Sequence, residues 1–267
     1  MPTQLPFLTW AGGKRWLMRQ YASLFPQRFK TYYEPFLGSG AVFFHLHPER
    51  SILSDLNCDL INTYIQIKEH PALVFNRLTE HHNLHSTEYY YHIRKQIYPD
   101  AIDRAAQFIY LNRSCWNGLY RVNRAGQFNV PIGTKMNIIL ASDNFYNTAL
   151  SLEKSTLKCG DFNNIDDMIE EGDFIYYDPP YTVQHNNNGF IEYNKKLFSW
   201  SDQERLHCSA IKAKKAGAFV AISNAHHPSI VCLYSKEFNI HILNRYASIS
   251  GIKNGRKKTE EILITSY

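Results

Sequence analysis

Long hydrophobic runs are missing from this 267-residue sequence, and no apolar stretch approaches the roughly 20 residues that a bilayer-spanning helix needs. The first residues also lack the basic segment followed by an apolar run that is typical of a signal peptide. We therefore expect neither a membrane protein nor an exported one. Low-complexity tracts are absent apart from Asn186–Asn188, which argues against collagenous and disordered classes.

Patterns of cysteine and histidine that hold disulfides or metals are missing too. The five cysteines are Cys58, Cys115, Cys159, Cys208 and Cys232. They form no CxxC pair and are odd in number, which fits a reducing compartment better than a disulfide framework and predicts a cytoplasmic location. The loosely spaced His81, His82 and His85 have no nearby cysteine or acidic set, so we expect no metal site.

The composition is that of an ordinary folded protein, with 44% hydrophobic and 20% charged residues. A net charge of +5 is compatible with a polyanionic partner without requiring one. Aromatic residues reach 14%, with 18 tyrosines and 16 phenylalanines. Such residues stack on bases in some proteins and fill cores in most.

The two ends of the chain alternate short strands with helices. Tyr32–Phe36 predicts a buried strand, Gly38–Gly40 a turn, Ala41 a helix start, and Ser51–Ser54 a second strand that ends at Asp55. Further predictions are strands at Asp173–Tyr177 and Ala218–Ser223, a helix with a Ser201/Glu204 capping box that ends before Gly217, and a hairpin of Tyr246–Ile249 with Glu261–Ser266. This pattern indicates an α/β domain split along the chain.

The middle of the chain, residues 61–150, is predicted to differ from both ends. Tyrosine-rich helices, one of them capped by Asp100 and running through Leu111, precede a polar segment from Asn112 to Gly133 that is punctuated by glycines. We interpret 61–150 as an insertion with its own function, between catalytic parts at 1–60 and 151–267.

The most informative motif is Asp178-Pro179-Pro180-Tyr181 at the end of a predicted strand. Proline cannot continue a central strand and donates no backbone hydrogen bond, so the turn offers acceptors: the Asp178 carboxylate and the Pro179 carbonyl. Two acceptors beside a tyrosine face suit a planar group that carries an exocyclic amine. By binding its two hydrogens they would make the amine nitrogen more nucleophilic.

The turn Phe36-Leu37-Gly38-Ser39-Gly40 follows a strand and opens a helix, as in folds that bind nucleoside ligands. Phe43 stands where a dinucleotide fingerprint requires its third glycine, which argues against an NAD-type site. Asp55 ends the next strand, where an acid could reach ribose hydroxyls or cap the helix that follows.

Five motifs in one order resemble the adenine-N6 DNA methyltransferases of the Dam/D12 type over nearly the whole chain. The motifs are Trp10-Ala11-Gly12-Gly13-Lys14, Pro35–Gly40 with Asp55, Asn112-Arg113 with Asn117–Asn123, Gly126–Pro131, and Asp178–Tyr181. The resemblance implies S-adenosylmethionine as methyl donor and an α/β, Rossmann-like methyltransferase sheet with helices on both faces, plus an inserted mainly helical target-recognition domain. It also implies double-stranded DNA as partner, no metal and no membrane, and we expect a monomer.

The resemblance assigns roles residue by residue. The cofactor-binding positions it implies are Trp10, Ala11, Gly12, Lys14, Phe36, Gly38, Ser39, Gly40, Asp55 and Asp178. The tetrad Asp178, Pro179, Pro180 and Tyr181 would hold a flipped adenine and be catalytic, because chemistry on a base requires extruding it from the duplex.

The implied DNA-binding positions are Trp116, Asn117, Leu119, Arg121, Asn123, Arg124 and Pro131. Trp116 corresponds to an aromatic residue that inserts into the duplex, and Arg121 could donate two hydrogen bonds to a guanine. We expect candidate DNA-contacting charges to gather at Arg113–Arg124 and in the basic turn Lys253–Lys258.

Thr9 departs from the family pattern, because the GATC-specific members carry a lysine immediately before the tryptophan. The expected target is therefore adenine in GATC or a related site. Two alternatives stay open at this point: the same cofactor and fold acting on cytosine N4, an RNA base or a protein amide, and a catalytically silent DNA-binding regulator.

Overall fold

The computed structural model describes residues 4–123, 125–182, 198–246 and 258–267. The α-helices are α1 Arg15–Tyr21, α2 Ala41–Leu46, α3 Cys58–Glu69, α4 Pro71–Asn83, α5 Thr87–Ile93, α6 Ala101–Ser114, α7 Phe145–Leu152, α8 Trp200–Lys215 and α9 Pro228–Tyr234. The strands are β1 Tyr32–Glu34, β2 Ser51–Asp55, β3 Ser155–Cys159, β4 Phe174–Tyr177, β5 Phe219–Ala225, β6 Asn239–Tyr246 and β7 Lys258–Thr265. Short 3-10 helices occupy Ala22–Leu24, Trp116–Gly118 and Phe162–Met168.

The strands form one seven-stranded sheet in the order β3-β2-β1-β4-β5-β7-β6. Strand β1 pairs in parallel with β2 and β4, and β4 pairs in parallel with β5, with Tyr177 opposite Ile222. Strand β7 runs antiparallel to both β5 and β6. The mixed α/β sheet that the sequence predicts is confirmed, and β3 is a strand that the sequence did not predict.

Strand ends follow the local chemistry. The predicted strand Tyr32–Phe36 ends at Glu34, because Pro35 has no backbone N–H to continue the ladder. The predicted hairpin exists, but its first strand is Asn239–Tyr246. Residues 247–249 of the prediction, together with Lys253, Arg256 and Lys257 of the basic turn, lie outside the described residues.

Helix starts are set by side-chain caps. Asp100 accepts hydrogen bonds from the amides of Ile102 and Asp103, so its predicted capping of α6 is confirmed. The predicted Ser201/Glu204 capping box is wrong. Ser199 and Asp202 form the box, while Glu204 accepts a bond from the indole nitrogen of Trp200 inside the helix.

The chain divides into two compact units, formed by residues 1–20, 37–48 and 54–160 and by residues 21–36, 49–53 and 161–267. The first has a helical core in which α3 and α4 pack on α6, with Tyr64, Leu78 and Ile109 fully buried. In the second, Tyr177, Val220 and Ile222 of the sheet pack with Leu206 of α8. The inserted recognition domain at 61–150 stays a prediction.

Cys58 and Cys159 form a disulfide, while Cys115, Cys208 and Cys232 are free. The expectation from cysteine number and spacing was wrong for this pair, because residues 101 positions apart give no sign in sequence that they meet. None of the helices in the described part of the chain is long and apolar enough to cross a membrane.

Candidate functional site

The tetrad Asp178–Tyr181 directly follows β4, whose four residues are all buried. Asp178 and Tyr181 are partly exposed. The Thr182 hydroxyl donates to the Phe198 carbonyl over 2.6 Å and so anchors the backbone just beyond the tetrad. The sequence-predicted acceptors are therefore fixed at the carboxyl end of a core strand, where open α/β sheets bind their ligands.

Buried tyrosines and carboxylates accompany the tetrad. Tyr32 donates to Glu34 over 2.9 Å, and Tyr181 donates to Glu261 over 2.6 Å. Glu34 and Glu261 are only 2% and 5% exposed. Sequence reasoning missed both glutamates; for Glu34, its position at the end of a buried strand was a signal that could have found it.

Burial raises the pKa of the phenols of Tyr32, Tyr176 and Tyr181 well above their usual range, and the charge of Asp178 raises each further. These hydroxyls therefore stay protonated and serve as hydrogen-bond donors or acceptors. Asp178 and the two glutamates thus place three carboxyl groups around these phenols.

Phe36, a predicted cofactor-lining residue, belongs to an aromatic group in the second unit. Its ring stacks on Phe162 with 5.4 Å between centroids and meets the edge of Phe198 at 5.7 Å. Phe36 remains partly exposed.

The glycine turn in the first unit is built by backbone bonds around Gly38. The Gly38 amide donates to the Asp55 carboxylate over 3.0 Å, and Tyr64 donates to the Gly38 carbonyl over 3.1 Å. Gly38 has φ +48°, and a Cβ there would lie 2.7 Å from Cδ1 of Trp10. Only glycine fits this close approach of the backbone to an indole ring.

Asp55 accepts hydrogen bonds from the amides of Gly38 and Asn57. Burial raises the pKa of its carboxyl, and these amide bonds oppose the rise. The helix that follows is capped by Asn57, which accepts from Asp59 and Leu60. Asp55 is thus released from the capping role that the sequence left open.

The Trp10 segment joins the glycine turn to the predicted recognition segment. The indole of Trp10 stacks on Phe108 and Tyr120 at centroid distances of 6.3 and 5.7 Å, and Tyr120 contacts Phe128.

Lys14 is buried and donates to the Gly12 carbonyl over 2.8 Å. Ala11 and Gly12 are exposed, whereas Ser39 and Gly40 are buried.

The predicted DNA-reading segment presents several side chains to solvent. Trp116 is 53% exposed, Asn117 has φ +56°, and Pro131 holds the turn by accepting from the Trp116 amide over 2.9 Å. Leu119 is partly exposed. The Arg121 guanidinium donates to Asn129 over 2.8 Å.

Asn123 is exposed and organises its own turn, since its side chain accepts from the amides of Ala125 and Gln127. Arg124 lies outside the described residues.

The first unit contains the predicted cofactor positions Trp10 to Lys14, Gly38 to Gly40 and Asp55. The same unit holds the described DNA-reading positions.

Arg113 is not a DNA-contacting charge, contrary to expectation. It is buried, pairs with Asp143 over 2.6 Å and donates to the Phe7 and Ile138 carbonyls. Its neighbour Asn112 accepts from the Thr9 amide and donates to the Thr9 carbonyl. Both side chains are buried because the last turns of α6 face the interior of the first unit. The spacing of residues in the sequence did not indicate this.

Across the described residues, no group of histidine, cysteine and acidic side chains could hold a metal ion. The tetrad and its surroundings supply hydrogen-bond acceptors, neutral phenols and aromatic faces. Acceptors beside an aromatic ring suit the binding of a planar group that carries an amine.

Comparison with known proteins points to one family. A family model described as D12 class N6 adenine-specific DNA methyltransferase matches residues 10–249. The type II methyltransferase M1.LlaDCHI of Lactococcus lactis subsp. cremoris is 36% identical over 271 residues, covering 98% of this chain and 95% of the relative. A DNA adenine methylase of Vibrio cholerae is 34% identical over 98% of this chain and 96% of its own length.

A third relative, the type II methyltransferase M.MjaIII of Methanocaldococcus jannaschii, is 34% identical over 98% of this chain and 99% of its own length. Among solved structures, a precorrin 8w decarboxylase from Methanobacterium thermoautotrophicum superposes with a TM-score of 0.39 at 12% identity, covering 95% of this chain and 88% of that one. That value is too low to carry an argument.

Proposed function

Because the chain belongs to the D12 class of N6 adenine-specific DNA methyltransferases, we propose that it methylates N6 of an adenine flipped out of duplex DNA, with S-adenosylmethionine as donor. The observation that carries this proposal is the tetrad at the end of β4, where the Asp178 carboxylate and Pro179 carbonyl follow a fully buried strand. Both are acceptors beside an aromatic ring, as an exocyclic amine requires.

The tetrad residues act on the amine of the base. Asp178 and the Pro179 carbonyl accept its two N–H hydrogens, which directs the nitrogen lone pair away from the ring and stabilises the positive charge that develops on nitrogen. Pro179 and Pro180 keep the turn stiff, and Tyr181 stacks on the base. Extrusion of the adenine costs a few kcal/mol, which these contacts offset.

The residues fit the proposed cofactor. The absence of a side chain at Gly38 lets the turn lie against the Trp10 ring, Asp55 offers a carboxylate suited to ribose hydroxyls, and Trp10 offers an aromatic ring. The residues that would hold the cofactor are Trp10, Ala11, Gly12, Lys14, Phe36, Gly38, Ser39, Gly40, Asp55 and Asp178. When bound, the cofactor would supply a methyl group on its sulfonium sulfur. The methyl group would pass to the amine nitrogen, the sulfur would remain as a neutral thioether, and the proton lost by the amine would pass to solvent water.

The segment from Trp116 to Pro131 is the proposed DNA reader. Trp116 fills the gap left by the flipped base, and Asn117, Leu119, Arg121, Asn123, Arg124 and Pro131 contact the site. Arginine that donates two bonds to guanine contributes about 1–3 kcal/mol of discrimination. We propose GATC or a related sequence as the target, with Thr9 altering how the first base is read, and a cytoplasmic monomer as the working form.

The test is transfer of a labelled methyl group to duplex DNA, with RNA and protein as parallel acceptors, followed by nucleoside analysis and mapping of the modified site. We expect N6-methyladenine, and we expect Asp178→Ala to lower the transfer rate at least about 100-fold while DNA binding is retained. Asp167→Ala is the matched control, because Asp167 is a fully exposed carboxylate of the same unit. It should transfer methyl at the wild-type rate.

N4-methylcytosine, a methylated RNA base or a methylated protein amide as the product would replace the proposed acceptor. DNA binding without any transfer would indicate a regulator. Substantial methylation by the Asp178→Ala variant would refute the role given to the tetrad.

A further inference from the structure

The tyrosine of the tetrad has an anchor far away in the sequence. Its hydroxyl donates to Oε2 of Glu261 over 2.6 Å, across 80 positions. Glu261 lies on β7, opposite Ala225 of β5 and Leu243 of β6. A carboxylate held between two strands of the sheet is a rigid partner for a residue on a loop.

The two prolines of the tetrad limit how its backbone can be held. Pro179 and Pro180 have no backbone donor, so the backbone next to Tyr181 cannot be held as a strand is held. The Thr182 bond to Phe198 fixes the backbone beyond the tetrad, but it leaves the torsions of the Tyr181 side chain undetermined. A bond at the far end of the ring restrains them.

The bond is also of the strong kind. A hydroxyl that donates to a carboxylate forms a short, charge-assisted bond, which is about twice as strong as a neutral one. Glu261 is 5% exposed, so competition from water is weak. Burial, followed by the charges of Asp178 and Glu261, raises the pKa of Tyr181 well above its usual range, which keeps the phenol a donor.

We propose that Glu261 is a positioning residue for methyl transfer, which holds the Tyr181 ring at the angle needed to stack on the acceptor base. The inference rests on the proposed function, since it assigns Glu261 to that same site. Glu261 acts through Tyr181 and touches neither the base nor the cofactor. Its effect is therefore on the rate of transfer from the bound complex and not on the strength of binding.

The test is a double-mutant cycle with Tyr181→Phe, Glu261→Ala and the double variant, on a duplex carrying the site mapped with the wild-type enzyme. We expect kcat to fall about 10- to 100-fold in each single variant, with little further loss in the double variant, because both changes remove one bond. The Kd for DNA and for the cofactor should stay within about twofold. Glu261→Gln, which keeps an acceptor oxygen, should recover part of the rate.

The fluorescence of a base analogue at the target position reports how well the flipped base is stacked. A general loss of stability should not change this fluorescence. With 2-aminopurine at the target adenine, we expect brighter emission from the Tyr181→Phe and Glu261→Ala complexes, because a ring that is less well held quenches the flipped base less. Tyr234→Phe is the matched control, since it removes another buried phenol bond of the same unit, to Gln203 over 2.9 Å. It should lose similar stability and keep the wild-type kcat.

The failures are distinguishable. If the wild-type enzyme makes no N6-methyladenine, the proposed function fails and this inference fails with it. Suppose instead that the wild type methylates adenine but Tyr181→Phe keeps its kcat within twofold, or that the fall in kcat of the double variant is the product of the two single falls. Only the role of Glu261 is then overturned.

Discussion

Asn112 and Arg113 are adjacent residues at the end of α6 whose side chains bind the backbone of residues 7–9. Asn112 accepts from the Thr9 amide over 3.0 Å and donates to the Thr9 carbonyl over 2.8 Å, while Arg113 donates to the Phe7 carbonyl. Both are buried. The backbone of Thr9 is thus held by the buried side-chain amide of Asn112.

Gly118 makes this arrangement possible and allows a sharp test. It has φ +63°, and a Cβ there would lie 2.5 Å from Cγ2 of Thr9. Gly126 has a similar φ of +76° with nothing within 4 Å of its Cβ position. Alanine at either position pays about 1–2 kcal/mol for the left-handed backbone, and at Gly118 the clash adds about 1–3 kcal/mol.

We therefore expect Gly118→Ala to unfold at lower urea concentration than Gly126→Ala and to bind its DNA site more weakly, since the turn that carries Trp116 must shift. Urea denaturation and DNA titration of the two variants measure this. Equal stability and equal affinity for the two variants would contradict the role given to the Thr9 contact.

At the scale of elements, the Cys58–Cys159 disulfide joins the start of α3 to the end of β3. Asp55, the last residue of β2 before α3, accepts through its carbonyl from the Gly160 amide over 3.0 Å. The disulfide and this hydrogen bond therefore both tie the end of β3 to the connection between β2 and α3.

Reduction of this disulfide should lower the free energy of unfolding by about 2–4 kcal/mol, because a long loop of the unfolded chain is then released. Chemical denaturation with and without dithiothreitol gives the value, and Cys58→Ser with Cys159→Ser should reproduce it without reductant. Cys208→Ser is the control, since Cys208 is exposed and free. An unfolding free energy that does not respond to reductant would refute the stabilising role.

The sequence predicted the elements whose signals are local. Asp100 as a cap, the glycine turn before α2 and the end of α8 before Gly217 each depend on a few consecutive residues. Strand β3 was missed because its Ser155–Cys159 pattern is mostly polar and exposed, unlike the apolar strands of the core. The capping box was placed two residues late because two serines compete as first residue of the box.

For the whole molecule, the order of motifs predicted the family, which is confirmed, and the residues of the candidate site, which stay a prediction, but it did not predict the pairs that hold those residues. Tyr181 with Glu261, Arg113 with Asp143 and Cys58 with Cys159 join residues 30 to 101 positions apart. Such pairs depend on how strands and helices are ordered in space, which no window of sequence contains. The sequence therefore named the residues of the site, but it did not predict the contacts that hold them in place.

Trp10 stacks in an aromatic cluster whereas Trp116 is exposed, so intrinsic tryptophan fluorescence can report DNA binding. The chain has four tryptophans; the ring of Trp10 lies on Phe108 and Tyr120, whereas Trp116 is 53% exposed. Acrylamide should quench Trp116 emission readily. DNA should protect it, and Trp116→Phe should abolish that protection, so engagement of the duplex can be followed by light without any label.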